Sequence, residues 1–524
     1  MVALLMKRFY YFIWIFILLT TGVACTRNNP YIDLYKNLPF EMPVLERPKF
    51  PENVIRITEY GGIPDGKTLN TAAFEKAIRD LADKGGGTLI VPSGIWFTGP
   101  ITFRSNINLH LEKGALILFS PDFDLYPLVK TIYEGRSGWR CQSPISGRNL
   151  ENIAITGKGA INGSGEAWRP LKRIKVTDTY WNKVVQSGGV LKDPGLWFPT
   201  PQALKGDTIN PKPSTEEEWM AIKDFLRPVM ISFIECKNVL LEGVLFENSP
   251  AWNIHPLLCE NVIIDNIDVR NPSYSQNGDG LDIESCKNVI ITDCSFDVGD
   301  DAICIKSGKD EEGRRRGRPT ENVIIENCRV FKGHGGFVVG SEMSGGVKNI
   351  SVSDCQFMGT DIGLRFKSAR GRGGVVENIY INNINMFDIL QEPISFNLYY
   401  FTEASDSVPP VDETTPVLKD IYINGIIARN ANKAMLFYGL PEMNISNINI
   451  ENVIITAQSG AELSETENIH FRKVEVYPEK GPALVLHNVK NMYVSEFKYP
   501  ENKESILITG ERSKNINIPG HTTN

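Results

Sequence analysis

The chain has 524 residues, with 55 Lys and Arg against 62 Asp and Glu, a formal net charge of −7, 42% hydrophobic residues and 22% charged ones. That balance is globular and excludes a disordered chain, a collagen and a multi-span membrane protein. The acidic excess also argues against a nucleic-acid binder, which carries a basic surplus.

The chain opens on an address. Lys7 and Arg8 precede an apolar run from Phe9 to Leu19, the length of a secretory core and too short for a comfortable membrane span. Thr21-Gly22-Val23-Ala24-Cys25 follows, and small residues before a Cys resemble the lipobox of bacterial lipoproteins. Residues 1–24 are expected to be a signal peptide, Cys25 the lipidation site, and residues 25–54 a Pro-rich, lipid-anchored linker. The expected location is periplasmic or outer-membrane-anchored, with membrane contact only through the lipid.

Asn70 predicts the N-cap of an amphipathic helix over Thr71 to about Lys84, with Phe74, Ala77, Ile78 and Leu81 on one face and Gly85-Gly86-Gly87 as its stop. Residues 55–135 read as an N-terminal cap and first turns, closing the end of the body at 136–515. Residues 168–227 interrupt that body as a partly helical insertion carrying Trp168, Trp181 and Trp197, expected to wall off one end of a groove.

The body is repetitive. A short pattern of Asn, then Val or Ile, then alternating residues begins at Asn238, Asn261, Asn288, Asn322, Asn349, Asn378, Asn447, Asn468, Asn491 and Asn515, with Asp420 in one further copy. Each copy reads as a short strand. One such strand cannot bury its apolar side alone; stacked copies can, at about 4.8 Å per step. The fold class is therefore all-β, a parallel solenoid. Cys236, Cys259 and Cys286 sit two residues before a repeat Asn, and Cys294, Cys328 and Cys355 six after one. Both sets read as core thiols, and the Asn residues as an internal amide ladder.

Repeat arithmetic places distant residues together. Asp300, His334 and Asp361 each lie twelve residues after their Asn, and Asp301 lies thirteen after. Allowing a five-residue insertion, Asp279 falls over Asp301, Asp282 over Cys304 and Glu284 over Lys306. Alternation turns Ile303, Ile305, Phe337, Val339, Leu364 and Phe366 inward and Arg365 and Lys367 outward. One outer face then gathers Asp279, Asp282, Asp300, Asp301, His334, Arg365 and Lys367, with a kink needed at Gly299 for both adjacent acids to face out. Carboxylates beside a His and two cations suit glycoside hydrolysis of an anionic sugar: one carboxyl kept protonated as acid, another activating water. No cofactor motif is present, and no metal or cofactor is expected. An uronate lyase on the same scaffold and a non-catalytic glycan-binding solenoid are the competing readings.

Asn277-Gly278-Asp279, Gly299-Asp300-Asp301, Gly333-His334-Gly335 and Arg365-Phe366-Lys367, in that order, resemble the four signature blocks of the polygalacturonase family, glycoside hydrolase family 28. Gly278 departs from the usual Thr. Residues 60–103 are similar to the cap of pectin-active β-helix proteins. The resemblance spans about residues 55–480. It implies a right-handed parallel β-helix and inverting hydrolysis of α-linked galacturonic acid chains, with pectic polysaccharide or oligogalacturonide as partner. By carry-over Asp300 is general acid, Asp279 and Asp301 the water-activating pair, His334 a support, and Arg365 and Lys367 the carboxylate-binding cations. Asn277, Asp282 and Tyr399 are further candidates for sugar binding, with Tyr400 an alternative to Tyr399. Inversion predicts carboxyl separations nearer about 6.5–9.5 Å than 5–5.5 Å, with Asp300 and Asp301 closer, and the insertion predicts attack at chain ends.

Overall fold

The computed structural model describes residues 29–402, 408–500 and 506–519, and the backbone of 521–523. The expected signal peptide and Cys25 lie outside the described residues. Two compact units meet at the Glu46–Arg47 bond. In the first, a 3₁₀ turn at Ile32–Tyr35 is held by the Tyr35 hydroxyl, which accepts from the Leu45 N–H at 2.8 Å.

The second unit is a stack of short parallel strands. Among the described residues, 33 strands belong to one hydrogen-bonded system. In each copy Val, Ile, Leu or Phe alternates into a common interior; Ile303, Ile305, Phe337, Leu364 and Phe366 have no exposed surface. The Asn positions explain the punctuation. Asn261, Asn288, Asn322 and Asn349 all hold φ near +58°, a left-handed bend that Asn tolerates better than other side-chain-bearing residues. Their amides then chain together: each Nδ2 donates to the Oδ1 one turn back at 3.1 Å, from Asn349 through Asn322, Asn288 and Asn261 to Asn238. All eight described cysteines are buried and free.

The cap helix spans Thr71–Asp83 and buries Phe74, Ala77, Ile78 and Leu81 as expected. Asn70 does not cap it with its side chain. Its Oδ1 instead accepts from the Ile63 N–H, and its Nδ2 donates to the carbonyls of Ile63, Thr68 and Phe97. The buried amide thereby closes the preceding loop.

The insertion forms a lobe. A three-stranded antiparallel sheet joins helices Asp178–Gln186, Pro201–Thr208 and Glu216–Met220. Trp181 and Trp197 pack with Leu171 in its core, and Trp168 packs on Tyr126 beside Cys141. None of the three tryptophans is left as an exposed platform. A separate hairpin, Leu128–Tyr133 with Arg136–Cys141, arches over the main sheet.

Candidate active site

One row of outward positions runs through the sheet: Thr102, Ser146, Ser232 and His255, then Asp282 and Cys304, then Val338, Arg365 and Ser395. The expected stacking of Asp282 on Cys304 and Glu284 on Lys306 is the observed register. Just before these strands the chain turns, and the acids cluster there. Asp300 lies in a bend at Gly299–Asp300, between strands Ser295–Asp297 and Asp301–Lys306, the kink that lets both neighbouring acids reach the same space. Asp279, Asp300 and Asp301 each bring one oxygen within 4.8 Å of the others.

Gly278 and Gly299 make this bend possible. A Cβ at either would collide with the Ser275 hydroxyl, which donates to the Pro272 carbonyl at 2.6 Å. The departure at Gly278 is thus matched by a local filler. Asn271 Nδ2 donates to the Gly278 carbonyl at 3.1 Å, and Arg227 Nη2 donates to Asn277 Oδ1 at 2.8 Å. Asn277 is therefore engaged by an arginine from the end of the insertion.

The charges are sharply unequal. Asp301 is 1% exposed; Lys367 Nζ donates to its Oδ2 at 2.6 Å and Arg365 Nη1 to its Oδ1 at 3.4 Å. Burial opposes ionisation of Asp301, but the two cations prevail and bring it down to about 2. Asp279, equally buried, has Asp300 and Asp282 as neighbours and an oxygen with no hydrogen-bond partner; burial and those like charges push its carboxyl well above the usual range. Asp300 is more open. His334 Nδ1 stands 3.0 Å from Asp300 Oδ1, and Nε2 3.9 Å from Asp361 Oδ2, completing the predicted column. The bond to Asp300, opposed by burial, raises the imidazole above its ordinary value.

The outer face is less open than the sequence suggested. Asp282 and Glu284 have no exposed surface. Asp282 pairs only loosely with Lys306, at 3.6 Å, and Lys306 also donates to Glu342 at 3.0 Å. Glu284 receives Arg316 at 3.1 Å and faces His255 at 2.9 Å. Lys306, Glu342 and Arg227 were not singled out in the sequence; only Lys306 carried a signal, its outward parity two residues after Cys304. Trp252 is buried against Tyr133 and Lys306. Arg314 and Arg316 belong to a helix, Asp310–Arg316, and bind the Gly371 carbonyl and Glu284. Tyr399 is 9% exposed and packs on Tyr438 and Arg370. Tyr400 is the ring beside the site, 5.6 Å from the Arg365 guanidinium and 4.9 Å from Lys367 Nζ.

The hairpin arching over the sheet is clasped to helix Asp310–Arg316. Arg136 pairs with Asp310, the Ser137 N–H donates to Glu312 at 3.0 Å, and Arg316 reaches the Gly135 carbonyl. Among the described residues the Asp279, Asp300 and Asp301 trio is the one group spaced to hold a metal ion, yet Lys367 and Arg365 already occupy Asp301.

Residues 220–477 match the family described as Glycosyl hydrolases family 28. A probable polygalacturonase of Vitis vinifera is 30% identical over 409 residues, 76% of this chain and 73% of the relative. An exo-poly-alpha-D-galacturonosidase of Dickeya chrysanthemi is 28% identical over 355 residues, 66% of this chain; the match spans 57% of that relative's length. Among solved structures, a hyperthermoactive exopolygalacturonase from Thermotoga maritima aligns with a TM-score of 0.66 and 33% identity, covering 82% of this chain and 94% of that one.

Proposed function

The chain belongs to glycosyl hydrolase family 28, and from that premise we propose that it hydrolyses the α-linked galacturonic acid backbone of pectin, from chain ends and with inversion. The observation that carries the chemistry is the division of charge among three crowded acids. Asp301 is kept anionic by Lys367 and Arg365 and serves as base. Asp279, reluctant to ionise, holds the same water without competing for its proton. Water oxygen attacks the anomeric carbon, its proton passes to Asp301, and Asp300 protonates the departing glycosidic oxygen. Asp300 takes the acid role because it is the most reachable of the three and has His334 against it to orient the carboxyl.

Tyr400 and Arg365 form the wall that receives a uronate: the guanidinium fork for the carboxylate, the ring for the sugar face. A lyase would need a free base to take a proton, whereas Lys367 is held by Asp301 at 2.6 Å and Lys306 by Glu342 at 3.0 Å. Attack at chain ends is supported by the clasped hairpin and helix, which cover the groove on the side of Trp252, and by the likeness to an exopolygalacturonase. The insertion stands at the same turns: Arg227 holds Asn277 and the Tyr180 hydroxyl meets that of Tyr274 at 2.9 Å. Export and anchoring through Cys25 belong to the same proposal; Cys25→Ser should release the protein from membranes.

Digestion of defined oligogalacturonides tests the function. Monomer from the first time points, with the opposite anomer by NMR, is the expected result. Mixed mid-length products with a fast viscosity drop would overturn attack at chain ends, and a retained anomer would overturn inversion.

A further inference from the structure

The outward row that carries Asp282 and Arg365 continues on the far side of Trp252 as His255, Ser232, Ser146 and Thr102. There the clasped hairpin does not sit flush on the sheet. It leaves a cavity of about 290 Å³ whose floor includes Thr102, Ser146 and Ser232. Tyr133 lines it and packs, tilted, 4.6 Å from Trp252. Ser232 and Asp282 are two strand steps apart, on the order of 10 Å, and none of the three catalytic acids lines the cavity.

The lining is unlike the rest of the protein. Lys130, Arg140 and Arg148 contribute to it and no Asp or Glu does, in a chain of net charge −7. Arg140 lies over the Tyr133 ring at 3.6 Å and donates to the Arg227 carbonyl at 3.2 Å. Arg148 has one long contact, 3.5 Å, with Glu235 outside the lining. Three hydroxyls, of Thr102, Ser146 and Ser232, stand among the apolar side chains of Val129, Ile132, Val229 and Ile234, and Gln142 Nε2 bridges two of them, donating to Thr102 Oγ1 at 3.0 Å and Ser146 Oγ at 3.5 Å. Cations without acids select an anion, and neighbouring hydroxyls select a ligand with hydroxyls of its own. The volume sits at the lower end of small-molecule pockets, about 300 Å³, which suits one ring and not a chain.

We propose that this cavity is a second, non-catalytic site that takes one acidic monosaccharide, the uronate released by an end-acting hydrolase. The preference for an anion rests on the lining alone; the choice of a uronate rests on the function proposed above. A product held there would report its accumulation to the hairpin, the same element that closes the catalytic groove.

Calorimetric titration of D-galacturonate tests this, using the full chain, Arg148→Glu at the rim and Ser146→Phe on the floor. Neither residue belongs to the catalytic machinery. The expected result is one bound equivalent that persists in Asp300→Asn, disappears in both cavity variants, and is not formed with neutral D-galactose. Both cavity variants should keep the wild-type thermal midpoint and stay within about twofold of wild-type kcat/KM on digalacturonate. Absence of any equivalent sensitive to Arg148→Glu, or equal binding of galactose, overturns the site. Polygalacturonate hydrolysis in the same preparations scores the function separately: activity without the equivalent sinks only the second site, and the equivalent without activity sinks only the function.

Discussion

The Asn ladder and the catalytic column are built the same way, by stacking one position of the repeat on itself, yet they behave as opposites. An amide carries a donor and an acceptor, so Asn238 through Asn349 satisfy one another turn after turn. A carboxylate only accepts. Stacking Asp279 near Asp300 and Asp301 therefore produces repulsion that no copy of itself can relieve, and the fold imports Lys367, Arg365 and Lys306 to offset it. The ladder contributes stability; the column gives some up to hold acids whose protonation states differ.

The comparison breaks most visibly on activity. Asp300→Asn should lower turnover on the order of 10² to 10⁴, the usual range for a general acid. Substrates with a good leaving group should escape part of the loss, and equal losses on activated and natural substrates would move the acid role elsewhere. Arg365→Lys comes next. It keeps the charge on Asp301 but loses the planar fork, so kcat/KM on galacturonides should fall roughly tenfold, the lower part of the 1.5–3 kcal/mol assigned to charged hydrogen bonds. Carboxyl-reduced oligomers should lose much less; an equal fall on both would remove the carboxylate-binding role.

The ladder should fail differently. Asn322→Ala strips a donor from Asn288 and an acceptor from Asn349 and puts Ala at a φ of +59°. A stability loss of about 1–3 kcal/mol follows, read as a lower denaturation midpoint, with kcat per folded molecule unchanged.

The smallest effect is in pH dependence, and its sign separates two acids of the column. Asp301, brought down to about 2 from 3.8, binds fewer protons folded than unfolded near those values. Its contribution is present above 3.8 and lost as pH falls towards 2. Asp279, raised above 3.8, has the reverse sign: its burial is harmless while protonated and costs stability as pH climbs from 3.8 through the folded value. Asp279→Asn should therefore raise the thermal midpoint near pH 7 and leave it unchanged near pH 3, while activity falls. A midpoint lowered at pH 7 would show that Asp279 is stabilised by partners after all.

Much of the molecule was legible without coordinates, because its order is periodic. Alternation marked the interior, Asn marked each left-handed bend, and counting twelve or thirteen residues from an Asn brought Asp300, Asp301, His334 and Asp361 into contact distance. Asp279 needed only one inserted length. The core thiols followed from the same count.

What the sequence by itself determined is thus everything that repeats: the parallel stack, its apolar filling, its ladder and the column of reacting groups. The tertiary structure alone decided what covers that column. Arg136 meets Asp310 across 174 positions, outside any repeat, and Arg316 of the same helix meets Glu284, which like Asp282 has no exposed surface. It likewise decided that Lys367 serves Asp301, and that Tyr400 rather than Tyr399 faces the cations. The physical reason is that a repeat fixes neighbours through a constant pitch, whereas loops outside it choose theirs by charge and shape once the stack exists.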